Sequence, residues 1–385
     1  MAYNPPIRLG MVGGGQGAFI GAVHRIAARM DGRFQLVAGA LSSTPERAAA
    51  SAAELGLDPA RSYATFEDMA LAEAAREDGI EAVSIVTPNH LHFAPAKAFL
   101  EAGVHVICDK PLTATLEEAE QLASCTTRSG RLLIVTYNYS GYPMVRQARE
   151  MVAAGELGIL RLIEVEYIQG WLSQKLEAEG SKQAEWRTDP ARSGAGGALG
   201  DIGVHAYHLA AFASGLEPGA VLADLTSFVD GRRLDDNASV LMRYESGARG
   251  RLWASQVAIG EENELTLRLY GDKGSLAWSQ RHADKLDFIP LGAPRQVLSR
   301  SGAGVQEAAA RLSRVPAGHP EGYLEAFANI YAEAARAIIA ARSGRRDDEA
   351  IFPTVQDGLR GVRFVDACVH SHAAGGAWTA MPRSA

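Results

Sequence analysis

Residues 7–18, Ile7-Arg8-Leu9-Gly10-Met11-Val12-Gly13-Gly14-Gly15-Gln16-Gly17-Ala18, decide the fold of this 385-residue chain. The run from Ile7 to Val12 is apolar enough to read as a strand; it leads directly into G-x-G-x-x-A, and a helical pattern begins at Phe19. Strand, glycine turn and helix in that order make a dinucleotide-binding element. Gly13 permits the tight turn, Gly15 lets a pyrophosphate approach the backbone, Ala18 keeps helix and strand close, and the helix N-terminus offers free N–H groups. Gly13, Gly15, Gln16, Gly17 and Ala18 are the expected cradle.

Outward from this turn the pattern repeats. Further strands are predicted at 34–40 (FQLVAGA), 82–86 (AVSIV), 105–108 (HVIC) and 132–137 (LLIVTY). Helices are predicted between them: PERAAASAAEL from Pro45, FEDMALAEAA, and LEEAEQLAS with Thr113 and Thr115 as caps. Alternating strands and crossover helices imply an α/β fold with a doubly wound parallel sheet. After about residue 140 the texture changes to strand-like runs separated by glycine turns, which implies a mostly antiparallel sheet. YESGARGRL and YGDKGSL read as hairpins in which glycine supplies positive φ. A long helix, GYLEAFANIYAEAARAIIAARSG, is predicted to close on Gly344, with a last helix between 354 and 374. The length suits two domains, 1–138 and 139–385.

Composition removes several function classes. With 38 basic against 45 acidic side chains the net charge is −7, so nucleic acid is not expected as a partner. No run approaches the ~20 apolar residues of a membrane span, and the stretch MAYNPPIRLGMVGGG does not resemble a secretion signal. Cys108, Cys125 and Cys368 are too scattered for a disulfide framework or a thiolate metal site, which favours a reducing compartment; the cytoplasm is the expected location.

Three places carry candidate chemistry. The second strand ends in Ala40-Leu41-Ser42-Ser43-Thr44, without the acidic residue that usually holds the ribose of NAD. Ser42 and Ser43 can bond a hydroxyl or a phosphate, and Arg47 can pair with a 2′-phosphate or stand in solvent, so NAD is expected with NADP admitted. Lysine is scarce, six against 32 arginines, and Lys110 follows an apolar strand in Cys108-Asp109-Lys110-Pro111-Leu112, where open α/β sheets bind ligands. In the run Gly196 to His205, Asp201 and His205 stand four apart and share a helix face, so a carboxylate can orient an imidazole for acid/base work. Two other readings stay open: a helix-start carboxylate beside an unrelated core histidine, or a metal site of Asp201, His205 and His208.

With these residues quoted, the chain resembles the glucose-fructose oxidoreductase / inositol dehydrogenase / MocA (Gfo/Idh/MocA) family over nearly its whole length. The resemblance rests on the glycine turn, Thr87-Pro88-Asn89, Lys110-Pro111, the D-x-G-x-H element Asp201 to His205, Asp236-Asn237-Ala238, and Gly271-Asp272-Lys273-Gly274-Ser275-Leu276. It implies an N-terminal Rossmann domain followed by an α+β domain on a large open sheet, with an active site in the cleft between them. It also implies roles: His205 as acid/base, Lys110 near the substrate hydroxyl and nicotinamide, and Asp201 on an adjacent hydroxyl. Thr87, Pro88 and Asn89, with Asp109, would lie at the nicotinamide end. His90 and His92 are read as packing or helix-start residues, and no metal is expected. Where the family carries Asn-x-Arg after the last Rossmann strand, this chain has Asn138-Tyr139-Ser140.

Asn138, Tyr139, Trp186, Arg187 and His319, with Asp201 and His205, are the expected substrate contacts. Aromatic rings among neutral donors suit a polyhydroxylated ring, a sugar or cyclic polyol. Lys182 or Arg187 could bind a carboxylate if it points inward, but both stand beside Glu185 and Asp189, and internal pairing is at least as strong a reading. The expectation is thus a dehydrogenase that oxidises a secondary alcohol of an inositol or pyranose. The alternative is a non-catalytic, dinucleotide-dependent binding protein of the same fold. A homo-oligomer, dimer or tetramer, assembled through the second domain's sheet is expected.

Overall fold

The computed structural model describes residues 5–381. Residues 1–4 and 382–385, the outer ends of the two expected domains and the start of the N-terminal stretch read above, lie outside the described residues. The chain divides into two compact units. One runs to Asn138 and takes in Tyr323–Leu359; the other comprises Tyr139–Gly322 and the chain from Arg360 onward. The expected second domain, 139–385, therefore loses residues 323–359 to the first unit.

The first unit is built on five parallel strands, β1 (Ile7–Gly13), β2 (Phe34–Ala40), β3 (Ala82–Val86), β4 (His105–Cys108) and β5 (Leu133–Val135), in the order β2-β1-β3-β4-β5. Helices α1 (Phe19–Met30), α2 (Pro45–Glu54), α3 (Phe66–Ala74), α4 (Phe93–Glu101) and α5 (Leu116–Ser129) connect them. β3 and β4 are buried along their whole length, which is why they read as continuous apolar runs rather than as alternations. Thr115 caps α5 as expected, accepting from the Glu118 N–H at 3.3 Å. The helix Tyr323–Arg342 joins this unit because its apolar face, including Phe327, Ile330, Tyr331 and Ile338, completes the core formed by Ile7, Leu9, Val23 and Phe34. That core placement is what separates the spatial unit from the stretch of sequence. The order places a topological switch between β1 and β3, where chain directions diverge and ligands of open α/β sheets sit.

The second unit holds nine strands in the order β13-β12-β11-β10-β6-β9-β8-β7-β14. They are β6 (Leu160–Ile168), β7 (Pro218–Thr226), β8 (Asn237–Tyr244), β9 (Arg249–Ser255), β10 (Glu264–Gly271), β11 (Gly274–Ser279), β12 (Lys285–Pro290), β13 (Gln296–Ser299) and β14 (Thr379–Ala380). Every pairing is antiparallel except that of β6 with β9. Strict alternation of buried and exposed residues along β8 shows one covered and one open face. Both expected hairpins form, β8–β9 and β10–β11. Their glycines differ in purpose. Gly247 has φ +91°, as the turn requires, whereas a Cβ on Gly271 would stand 1.9 Å from the Leu157 carbonyl oxygen, so close approach of two backbones decides that position.

Two histidines of the first unit are held neutral. Burial drives His24 and His105 down to about 4, and His105 Nδ1 accepts a 3.0 Å bond from the Leu132 N–H, which an imidazolium could not do. Both rings take up a proton more readily in the unfolded chain, near 6.5. Their contribution to stability is therefore complete above that value and is lost as pH falls toward 4. We expect urea midpoints to drop between pH 7 and pH 5. The His105→Gln variant, which keeps an acceptor for Leu132, should show a shallower drop, by on the order of 1–2 kcal/mol in extrapolated stability. Parallel pH dependence of parent and variant would count against this origin.

Candidate functional site

At the end of β1 the backbone turns through Gly13 (φ +77°), Gly14 (φ +72°) and Gly17 (φ +77°), and α1 begins at Phe19 as read from the sequence. The Gly15 N–H donates to the Leu41 carbonyl at 3.1 Å, the Ala18 N–H to Gly15 at 3.1 Å, and the Gln16 N–H to Ser51 Oγ at 3.0 Å. The close approach of helix to turn comes from a residue the motif did not single out. A Cβ on Gly21 would stand 2.4 Å from Gly14 Cα, so Gly21, rather than Ala18, lets α1 press against the turn. At Gly15 an added Cβ would meet the Leu41 carbonyl oxygen at 2.6 Å; its glycine is explained by packing within the protein.

The start of α1 fits an anion. Its N-cap, Ala18, supplies no side-chain acceptor and its first turn holds no acidic residue, whereas α3 and α5 are each capped by a threonine and carry two acidic residues there. The N–H groups of α1 and its positive end are thus left for a ligand, as a dinucleotide pyrophosphate requires. A depression of about 360 Å³ beside the turn is lined by Gly15, Gln16, Gly17, Ala18, Phe19 and Arg25, among others. The Gln16 side chain donates to Glu54 at 2.8 Å, and Arg47 reaches the Gln16 carbonyl at 3.4 Å, so the turn is held from the side of α2. Ser42 accepts from the Thr44 N–H at 3.3 Å, while Ser43 and Arg47 are exposed.

On the other side of the switch, Gly13 is in register with Val86, which places Thr87-Pro88-Asn89 next to the glycine turn. Thr87 Oγ1 donates to the Leu91 carbonyl at 3.0 Å, closing this segment into a tight turn ahead of α4. Past β4, Asp109 Oδ1 accepts from Thr136 Oγ1 at 2.9 Å and lies 3.9 Å from His24 Nε2. His24 Nδ1 in turn contacts Ser84 Oγ at 3.1 Å and the Tyr331 hydroxyl at 2.9 Å. Lys110 follows on this anchored strand end, half-buried.

In the second unit the run from Leu199 to Gly203 forms a wide π turn that passes into the helix Val204–Ser214, so Asp201 and His205 occupy a π/α junction rather than a regular helix face. Asp235, absent from the sequence reading, anchors its start: one carboxylate oxygen accepts from the Gly197 N–H at 2.6 Å and the other from Leu199 at 2.8 Å. Burial raises the Asp235 pKa, and these backbone bonds oppose that rise. Gly197 has no alternative, since a Cβ there would stand 2.0 Å from the Asp235 carbonyl oxygen.

Asp201 Oδ2 accepts from Arg187 Nε at 3.0 Å and from Gln256 Nε2 at 2.9 Å. Arg187 does not pair with Glu185 or Asp189 as the sequence suggested; Asp189 pairs with Arg233. The guanidinium also lies over the Trp186 ring, 4.1 Å from its centroid. The His205 ring meets Tyr139 edge-on at 5.0 Å. From Tyr139 a chain of polar groups runs through Tyr167 (2.6 Å) to Asn263 (2.8 Å), which Gln169 also contacts (2.6 Å). Trp171 Nε1 then donates to Gln169 Oε1 at 3.0 Å. Burial pushes the Tyr139 phenol up.

The structure thus brings Asp201, His205, Tyr139, Trp186 and Arg187 together and adds Tyr167, Gln169, Trp171, Gln256 and Asn263. The signal for the additions was weak: they stand at strand ends and in loops, with nothing but their polarity to mark them. His319 is exposed, its carbonyl held by buried Arg300. Asn138 is buried in the first unit, whereas Tyr139 begins the second. His208 stacks on Phe212, and among the described residues no group of three or more His, Cys, Asp or Glu is placed to hold a metal ion. None of the described helices is long and apolar enough to cross a membrane.

Comparison with known proteins identifies the family and the fold. Residues 7–137 match the model of an oxidoreductase family with an NAD-binding Rossmann fold, and residues 145–277 match a GFO/IDH/MocA C-terminal domain. An uncharacterized oxidoreductase of Bacillus subtilis, YfiI, is 38% identical over 97% of both chains. The crystal structure of an oxidoreductase from Sinorhizobium meliloti is 56% identical, covers 97% of this chain and 99% of its own, and has a TM-score of 0.90. An inositol dehydrogenase homolog from Azotobacter vinelandii, complexed with NADH and myo-inositol, is 40% identical over 97% of both chains with a TM-score of 0.91. With both of its family models matched in order and an uncapped helix behind the glycine turn, the chain belongs to the Gfo/Idh/MocA oxidoreductases and carries their NAD-binding Rossmann domain.

Proposed function

We propose that the protein is an NAD-linked dehydrogenase of a cyclic polyol or pyranose, oxidising a ring secondary alcohol to a ketone. The observation that carries this reading is the Asp201 carboxylate, shared by Arg187 and Gln256 in the same unit as His205 and an array of tyrosine, tryptophan and amide groups. A carboxylate accepts from one hydroxyl while its guanidinium and amide partners donate to the next, so neighbouring hydroxyls on a ring are matched in pairs. The aromatic rings supply surfaces for the ring C–H groups. The A. vinelandii homolog, whose structure holds NADH and myo-inositol, supports the same substrate class.

When bound, the nicotinamide accepts the hydride. In this reading His205 takes the hydroxyl proton, Lys110 stabilises the developing alkoxide, and Asp201 holds an adjacent hydroxyl. Thr87, Pro88, Asn89 and Asp109 frame the nicotinamide end, and Gly13 to Ala18 frame the pyrophosphate. Ser42, Ser43 and Arg47 meet the adenine ribose, which leaves only modest discrimination between NAD and NADP.

A screen of inositols, aldohexoses, and amino and acid sugars with either cofactor tests the assignment, with turnover expected on neutral rings. Turnover restricted to acid sugars would overturn the substrate class. NADH binding without turnover on any ring alcohol would favour the non-catalytic alternative. Lys110→Ala and His205→Ala should each lower turnover by roughly 10² or more while NADH fluorescence titrations stay near parental. Asp201→Asn should raise KM as well as lower kcat. Parental turnover in His205→Ala would remove that histidine from the proton transfer.

Cofactor choice has its own test: Ser42→Asp should weaken NADP binding by about tenfold or more through charge repulsion and leave NAD binding close to parental. Equal NADP affinity in parent and variant would place Ser42 away from the 2′-position.

A further inference from the structure

The turn that carries Lys110 and the turn that carries Thr87 to Asn89 are spanned by one buried side chain. His92 is 0% exposed; its Nδ1 lies 2.8 Å from the Pro111 carbonyl oxygen and its Nε2 2.8 Å from the Thr87 carbonyl oxygen. The sequence suggested packing or a helix start for this residue. It does precede α4, yet its side chain makes no capping bond to that helix. A ring needed only for volume gains nothing from facing both nitrogens to backbone acceptors, and a buried carbonyl facing an apolar ring would lose its donor.

The position of those two carbonyls matters more than their number. Pro111 follows Lys110 directly, and Thr87 opens the segment in register with the glycine turn. On its other side Lys110 is preceded by Asp109, whose N–H donates to the Ile85 carbonyl at 3.0 Å and whose carboxylate is tied to Thr136 at 2.9 Å. The backbone is therefore pinned before Lys110 by the sheet and after it by the His92 ring. Burial is the largest influence on that ring and lowers its pKa, while nearby Asp109 and the Pro111 and Thr87 carbonyls act against that fall. An acceptor 2.8 Å from each nitrogen is met in full by a ring with hydrogen on both, which then donates to the Thr87 and Pro111 carbonyls at once.

We infer that His92 is a positioning residue, clasping the Pro111 and Thr87 carbonyls so that the Lys110 side chain is held at a fixed spacing from the Thr87–Asn89 turn. The inference rests on the proposed role of Lys110, and its test is chosen to stand apart from that role. Amine-selective acetylation of the whole protein, read by peptide mass spectrometry, reports Lys110 against five internal references: Lys97, Lys175, Lys182, Lys273 and Lys285. In His92→Phe, which keeps ring volume without a donor, Lys110 should react about threefold faster or more while the five references hold their rates. His92→Asn, whose amide can donate to the Pro111 carbonyl, should restore most of the parental rate. With a turned-over substrate in hand, kcat of His92→Phe should fall by roughly tenfold or more with KM for NAD little changed, and Asn should recover much of the loss.

Parental Lys110 reactivity in His92→Phe would overturn the inference. So would a uniform rise across all six lysines in both variants, because that pattern belongs to a residue that only holds the fold together. A parent enzyme inactive on every alcohol would sink the dehydrogenase reading instead, and the acetylation ratio would still decide the role of His92.

Discussion

The anion site that the first unit offers a ligand depends on the contact between Gly14 and Gly21. A single added carbon on Gly21 would lie 2.4 Å from one backbone atom of Gly14 and 2.5 Å from another, so the first turn of α1 can rest on the end of β1 only without side chains at both positions. That contact brings the uncapped N–H groups of α1 to the sheet's carboxyl edge, beside Thr87 and at the switch between β1 and β3. Arg25, one turn further along, donates to the Gly14 carbonyl and holds the turn from behind. A cap on α1 would satisfy the helix internally and remove its use as an anion site.

The second unit solves the opposite problem. Its helix carrying His205 is anchored by a buried carboxylate, Asp235, whose two oxygens take the Gly197 and Leu199 N–H groups. Burying a carboxylate is costly and raises its pKa, and two backbone donors offset the cost by favouring its charged form. One helix start is thus left open toward a ligand and the other is closed by the protein itself. In the proposed function the difference follows from what each does: the first binds charge, while the second holds a carboxylate and an imidazole in place.

Local regularities made most of the fold legible. All five strands of the parallel sheet, the start of α1 at Phe19, the Thr115 cap and both hairpins follow from apolar runs, caps and turn residues that act over a few positions. The assignment of 323–359 to the first unit was not legible, because it depends on which distant core the face of Phe327 and Tyr331 completes. At the candidate site the D-x-G-x-H element could be picked out from the sequence, and the hydrogen-bond partners of its aspartate could not. Asp201 stands out in D-x-G-x-H, but nothing near it in sequence names Gln256, and Arg187 stands next to acidic residues it does not use. Gly21 and Asp235 escaped for the same reason: their importance is a distance to a backbone atom that only the folded chain brings near.

That missed pairing bears directly on substrate chemistry. An unpartnered arginine in a sugar pocket invites a carboxylate, and on sequence alone Arg187 could have been such a group. Paired with Asp201, it contributes no net charge to the site, and a substrate anion would have to displace a carboxylate already bonded to it at 3.0 Å. A neutral hydroxyl needs no such displacement: it can accept from the guanidinium or from Gln256 while donating to the carboxylate, leaving the ion pair in place. The stacking of the guanidinium on Trp186 further restricts how far it can turn toward a competing anion. Under the proposed function, charge balance inside the array, more than the identity of any one residue, is the ground for expecting uncharged polyols rather than acid sugars as substrates.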